Sequence, residues 1–188
     1  MNIMKVLSII LLLGLFSSCI QNEQSKKNDQ DNTGNLNTLI SQVQALPIYD
    51  LTNQQREDLK YMWEEEKLAR DVYITLSYQG KVFQNISKSE QSHMNAISAL
   101  IQKYSITATG TDTVGQFSTI AFQTLYNDLV TRGQASNTAA FSVGIDIEIL
   151  DINDLEDRII GAPEDFRLIF QKLIDASYKH KRAFERQL

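Results

Sequence analysis

The sequence predicts an all-α protein: a four-helix bundle with a long crossover that carries a short extra helix. Three observations predict it. Apolar residues recur three and four positions apart along four long stretches, the spacing of one helix face. No stretch of useful length alternates apolar and polar residues as a half-buried strand would. The only two prolines, Pro47 and Pro163, fall between helical stretches, where they interrupt no helix.

The chain opens with residues 1–18, which read as a signal peptide. Lys5 precedes an apolar run from Val6 to Phe16, followed by Ser17 and Ser18. That run is too short to span a bilayer as a mature helix. Phe16-Ser17-Ser18-Cys19 resembles a bacterial lipoprotein cleavage box, with Cys19 as the lipidated residue. Cys19 is the sole cysteine, so no internal disulfide can form. Residues 19–35 are polar and read as a flexible tether. Residues 36–188 are one domain's worth of chain, long enough to bury a core without disulfides.

Within that domain, Leu39, Ile40 and Val43 mark a helix over 37–45 that ends before Pro47. Thr52-x-x-Gln55 is a capping-box signature for a helix reaching about Tyr78. Ser87-x-x-Glu90 has the same signature and predicts a helix running to about Tyr104. Residues 105–115 are rich in Thr and Gly and read as loop. A shorter helix covers 118–131 and is closed by Gly133. Long helices follow over 136–160 and 164–186. A long connection thus separates the second long helix from the third, which is the ferritin-like topology.

At about 100° per residue, several titratable side chains fall on inward stripes. On the first long helix the apolar stripe centres on Glu65, with Glu66 at its edge and Glu64 facing away. On the second it runs Ile86, Glu90, His93, Ile97, Leu100 and Tyr104. On the third, Glu148 lies in line with Phe141, Ile152 and Leu155, with Asp151 and Asp154 on the neighbouring side. On the last, Ser177 and His180 share a stripe with Phe166, Leu173 and Phe184. Buried charges need partners or a metal. Carboxylate oxygens with one imidazole per ion suit iron or manganese. The candidate metal ligands are therefore Glu65, Glu90, His93, Glu148, Asp151 and His180. Read singly, each has a plainer explanation: Glu90 as the return arm of the Ser87 cap, the histidines as core residues with hydrogen-bond partners.

EEEKLARDVYITL, NISKSEQSHMNAISALIQKY, LYNDLVTRGQAS, VGIDIEILDINDLE and SYKHKRAF occur in order. Together they resemble a ferritin-like family of bacteria and archaea, domain of unknown function 2202. The bundle pattern is also similar to rubrerythrins, whose usual cysteine-rich electron-delivery module has no counterpart here. The resemblance implies a di-iron carboxylate centre on Glu65, Glu90, His93, Glu148 and His180, with Asp151 as an extra carboxylate. Ser177 stands where the fuller pattern has glutamate. Two irons, one tight and one weak site, a single metal, or manganese all remain open on that basis.

Two functions follow as expectations. One is envelope redox chemistry with O₂ or H₂O₂ as substrate, of peroxidase or ferroxidase type, or iron handling. The other is a non-catalytic lipoprotein module that binds a partner, with metal absent or structural. The expected location is the bacterial cell envelope, at the outer membrane, facing periplasm or surface. The membrane is engaged through the lipid anchor alone. A net charge of −5 without a basic stripe argues against nucleic acid. The oligomeric state stays open, a homodimer included.

Overall fold

The computed structural model describes residues 36–107 and 110–188. The apolar leader, Cys19 and the tether to residue 35 lie outside the described residues, as does the anchoring they predict. Residues 36–188 form one compact unit. Among the described residues all regular structure is helical: α1 over 36–45, α2 Asn53–Thr75, α3 Lys81–Lys103, α4 Ile120–Gly133, α5 Asn137–Arg158 and α6 Glu164–Glu185. None of these helices is long and apolar enough to cross a membrane.

Local chemistry sets the helix starts. Thr52 closes a full capping box with Gln55, its side chain accepting from the Gln55 amide while Gln55 accepts from the Thr52 amide. Thr119 and Ser136 cap α4 and α5 by accepting from the amides of Phe122 and Ala139. Glu164 and Asp165 in the first turn of α6 complement the helix dipole.

The start of α3 differs from expectation. It begins at Lys81, after a single 3₁₀ turn at Ser77–Gln79, so the Ser87 capping box does not form. Ser87 lies inside the helix, its hydroxyl donating to the Gln84 carbonyl at 3.2 Å. Phe83 and Ile86 are buried and extend the apolar stripe back past the apparent cap. Glu90 is therefore a mid-helix residue and caps nothing.

α2 packs mainly on α3, and α5 on α6. Tyr73 reaches Glu148 while Tyr61 reaches Asp154, so α2 and α5 run antiparallel. Phe83 meets Phe184 while Tyr104 meets Asp165, so α3 and α6 do too. The α3–α5 connection must then travel back along the bundle, and α4 lies within it.

The core has two apolar halves. One gathers Leu59, Met62, Ile97, Leu100, Leu155, Phe166 and Leu173. The other gathers Leu68, Val72, Tyr73, Phe83, Ile86, Val143, Ile147 and Phe184. Between them on all four long helices come the buried polar residues: Glu65 and Glu66, Glu90 and His93, Glu148 and Asp151, Ser177 and His180.

Candidate metal centre

Glu90 is the middle of the polar layer. One of its oxygens, Oε2, lies 2.7 Å from Nδ1 of His93, and the other, Oε1, lies 2.8 Å from Nδ1 of His180. The two imidazole rings stack with centroids 5.5 Å apart. Glu66 Oε2 lies 3.1 Å from the His93 nitrogen, and Glu148 Oε2 lies 3.5 Å from the His180 nitrogen. Two buried triads result, Glu66–Glu90–His93 and Glu90–Glu148–His180, each with donor atoms within 4.8 Å of one another and both sharing Glu90.

These contacts are short, yet they leave hydrogen-bonding capacity unused. Glu90 Oε1 and His180 Nδ1 are close without the alignment of a hydrogen bond, and Glu66 Oε1 also lacks a partner among the described residues. Unsatisfied buried carboxylate oxygens are costly, so their convergence calls for a physical reason. Five carboxylates lie in the layer: Glu65, Glu66, Glu90, Glu148 and Asp151. With both imidazoles protonated, full ionisation of these carboxylates would leave a net charge of −3 there. Divalent cations would supply positive charge and occupy the free oxygens, so the donor set fits them.

Electrostatics within the layer follow from burial and pairing. Burial alone raises the Glu90 carboxyl, but His180 and His93 outweigh it and hold it well below the ordinary range. Burial lowers the histidines, but Glu90 and its neighbours outweigh it. His180 is raised to about 10 and His93 well above its ordinary value. Glu66 is pushed up to about 7 by burial, with His93 opposing. Glu148 is raised by burial and by Glu90. Asp151 is raised well above its ordinary value by burial and the charge of Glu66.

Outer contacts hold the layer in shape. The Tyr73 hydroxyl donates to Glu148 Oε1 at 2.6 Å, and the Ser177 hydroxyl donates to Asp151 Oδ2 at 2.6 Å. Gly144 lets Phe184 lie against α5, since a Cβ there would meet the ring at 2.8 Å. That contact keeps the last turns of α6, and His180 with them, close to Glu148.

Of the residues expected from the sequence, the structure brings Glu90, His93, Glu148 and His180 together in the triads. Asp151 is buried in the same layer and accepts from Ser177, but belongs to neither triad. Glu65 is buried but belongs to neither triad, and Glu66 takes the place beside His93. The two differ by 100° on α2, a step that an apolar stripe of that width does not resolve.

Glu64 is also buried, contrary to its expected outward position, and accepts from the Ser118 amide and hydroxyl. With it come Lys67, Arg70 and Asp71, which the sequence reading passed over. Lys67 pairs with Asp71 and donates to the Thr113 carbonyl at 2.9 Å. Arg70 pairs with Asp71 at 2.8 Å and with Asp112 at 2.6 Å. The Gly115 amide donates to Asp71 at 2.9 Å. This outer face of α2 fastens the crossover, and its opposite charges four apart were the available signal.

Fold and site together define a class: an all-α bundle whose four long helices deliver carboxylates and two histidines to one buried layer. The chain belongs to the family described as Uncharacterized protein domain (DUF2202), whose model matches residues 55–188. It is 42% identical over 154 residues to "Uncharacterized protein MJ0754" of Methanocaldococcus jannaschii, covering 80% of this chain and 83% of that protein. The crystal structure of hypothetical protein MJ0754 from Methanococcus jannaschii DSM 2661 superposes with a TM-score of 0.74. That match is 42% identical and covers 77% of this chain and 85% of the other.

Proposed function

We propose that the protein is a ferritin-like di-metal carboxylate protein, with iron as its metal and manganese as the nearest alternative. The observation that carries this reading is Glu90, whose two oxygens each lie within 2.8 Å of a different histidine nitrogen. In this reading Glu66 and His93 would hold one ion, Glu148 and His180 would hold the other, and Glu90 would serve both. Asp151, oriented by Ser177, is the carboxylate that compensates for the absence of glutamate at 177. Helix connectivity and the Glu-x-x-His spacing on α3 match ferritin-like di-iron proteins, which supports the class.

Bound iron would supply one-electron redox chemistry with O₂ or H₂O₂, in a peroxidase or ferroxidase type of reaction. The chain's own part is narrower. Two apolar half-cores exclude bulk water from both sides of the layer. Tyr73 holds Glu148 through its hydroxyl, and Glu90 must give up its contact with both protonated imidazoles before they can bind metal. The leader and Cys19 add an expected location, the cell envelope, where this chemistry would handle peroxide or iron.

The test is metal content. Protein purified without chelator, loaded anaerobically with Fe(II) and desalted, is expected to retain about two irons per chain. Glu90→Gln keeps the size and polarity of the side chain but is expected to lose both ions. A folded parent that retains no metal would overturn the proposal and favour a partner-binding module. Retention of both ions by the Glu90→Gln variant would remove Glu90 from the centre.

A further inference from the structure

We propose that the basic surface around His180, at the end of the bundle where α3 begins and α6 ends, docks an acidic electron-carrier protein whose electrons enter at the solvent-facing edge of His180. The inference rests on the redox-metal reading above and adds the class of partner which that reading requires.

His180 carries the argument. It is the most exposed member of the polar layer, with 11% of its side chain open to solvent against 1–3% for Glu66, Glu90, His93 and Glu148. Its Nδ1 faces inward, 2.8 Å from Glu90 and 3.5 Å from Glu148. One side chain thus touches both the candidate metal layer and water. Its ring stacks on that of His93 at 5.5 Å, so an electron that reaches His180 also has a path to the first triad.

The surroundings of that edge are positive. His180 stands within the run Lys179-His180-Lys181-Arg182. The contacts of Glu90 with His180 and of Phe83 with Phe184 set α3 against α6. That register brings Lys88 to the level of Lys181 and Arg182, and Lys81 to the level of Arg186. Residues 81–92 and 176–188 then hold Lys81, Lys88, Lys179, Lys181, Arg182 and Arg186 against a single exposed acidic side chain, Glu185, since Glu90 is buried. Lys181 pairs with Glu185 at 2.5 Å. Lys88, Lys179, Arg182 and Arg186 have no ion-pair partner among the described residues. In a chain of net charge −5 this is a local reversal of sign. The cations are divided between two helices, so no single stretch of sequence displays them as a stripe.

Chemistry narrows the partner. O₂ and H₂O₂ are neutral and gain nothing from the cations, and Fe(II) is repelled by them. Reducing one H₂O₂ to two waters consumes two electrons and two protons, so each turnover needs two electrons from a reductant. This chain's single cysteine cannot hold an iron–sulfur cluster to store them. A one-electron carrier with an acidic face delivers them in two encounters and matches the charge. Opposite charges of this kind speed association by about 10–10³-fold, an effect that salt suppresses. The rival occupant is an anionic lipid surface, which would use the same cations but has no use for the open edge of His180.

The first arm of the test needs no metal. Metal-free protein is titrated with hexacyanochromate(III), a redox-inert paramagnetic trianion. Amide NMR signals of Lys88 and of residues 179–182 are expected to broaden, and the broadening to vanish in high salt. No broadening, or broadening spread evenly over the surface, would overturn the docking face. In the second arm, iron-loaded protein gives rates of Fe(II) oxidation by hexacyanoferrate(III) and by the cation tris(phenanthroline)cobalt(III). The double variant Lys179→Gln/Arg182→Gln is expected to slow the anion about tenfold and to leave the cation no slower. Equal effects on both oxidants, or no effect on either, would overturn the port at His180. Binding of metal-free protein to phosphatidylglycerol vesicles, lost in the double variant while its oxidation rates stay parental, would assign the cations to lipid instead. A parent that retains no iron would remove the metal centre itself, whereas an iron-loaded parent with unaltered variant rates removes only the port. Both substituted residues are exposed, and thermal midpoints establish folding.

Discussion

Glu90 and Tyr73 set the chemistry of the layer at the scale of single residues. Glu90 meets both histidines, and Tyr73 meets Glu148, so one carboxylate is shared and another is oriented. Groups that orient a metal ligand through a hydrogen bond typically alter affinity by about 10–100-fold when removed. Tyr73→Phe deletes only the hydroxyl and leaves the ring against Phe83 and Phe184. We expect it to retain the fold and to weaken metal binding by about that factor, as read by competition against a coloured chelator. At this scale the sequence was informative where a residue was chemically rare. Two histidines in 188 residues, both on apolar stripes, were easy to place. Three consecutive glutamates were not, because neighbouring positions on a helix differ by less than the width of the stripe. Glu66 in place of Glu65 beside His93 is the result.

At the scale of elements, five helix positions were legible from apolar spacing and helix breakers, with a cap in agreement at α2. The start of α3 was not, because Ser87 and Glu90 imitate a capping box six residues inside the helix. The spacing of Phe83 and Ile86 outweighs that local signal, since their burial stabilises more turns of helix than one cap does. The crossover was legible as a connection but not as a cover. Its attachment depends on Asp71, which is fully buried and accepts from Lys67, Arg70 and the Gly115 amide. Asp71→Ala leaves two buried cations without their shared partner, a loss of about 3–5 kcal/mol. Urea denaturation is expected to show that loss, and limited proteolysis to show faster cleavage around residues 110–118.

At the scale of the whole molecule, the layer ties stability to pH. His180 has an ordinary value of 6.5 and stands at about 10 in the fold. Its stabilisation is fully present below about pH 6.5 and is lost as pH rises through 10. Glu66 stands at about 7 against an ordinary 4.5, so its contribution is also lost as pH rises, through 7. Glu90 has the opposite sign, but its effect falls in acid, below its ordinary value of 4.5. Metal-free protein is thus expected to melt at a lower temperature at pH 9 than at pH 6. In the proposed metal-bound state an ion would displace protons from His93, His180 and Glu66, so its affinity is expected to rise over the same interval. Calorimetric melting at both pH values, with and without Fe(II) under anaerobic conditions, checks both signs. Equal midpoints for the metal-free protein at the two pH values would contradict the first.

The division of the core into two apolar halves has a consequence for cooperativity. Each half gathers its own aliphatic and aromatic contacts from all four long helices, and a layer rich in buried charged groups lies between them. Without a cation, that junction transmits little attraction, and each end of the bundle becomes a separate unit of local opening with its own free energy. Ions bound by all four helices at the junction would fuse the two units into one. Occupancy would then set how many independent pieces the protein unfolds in, as well as how stable it is.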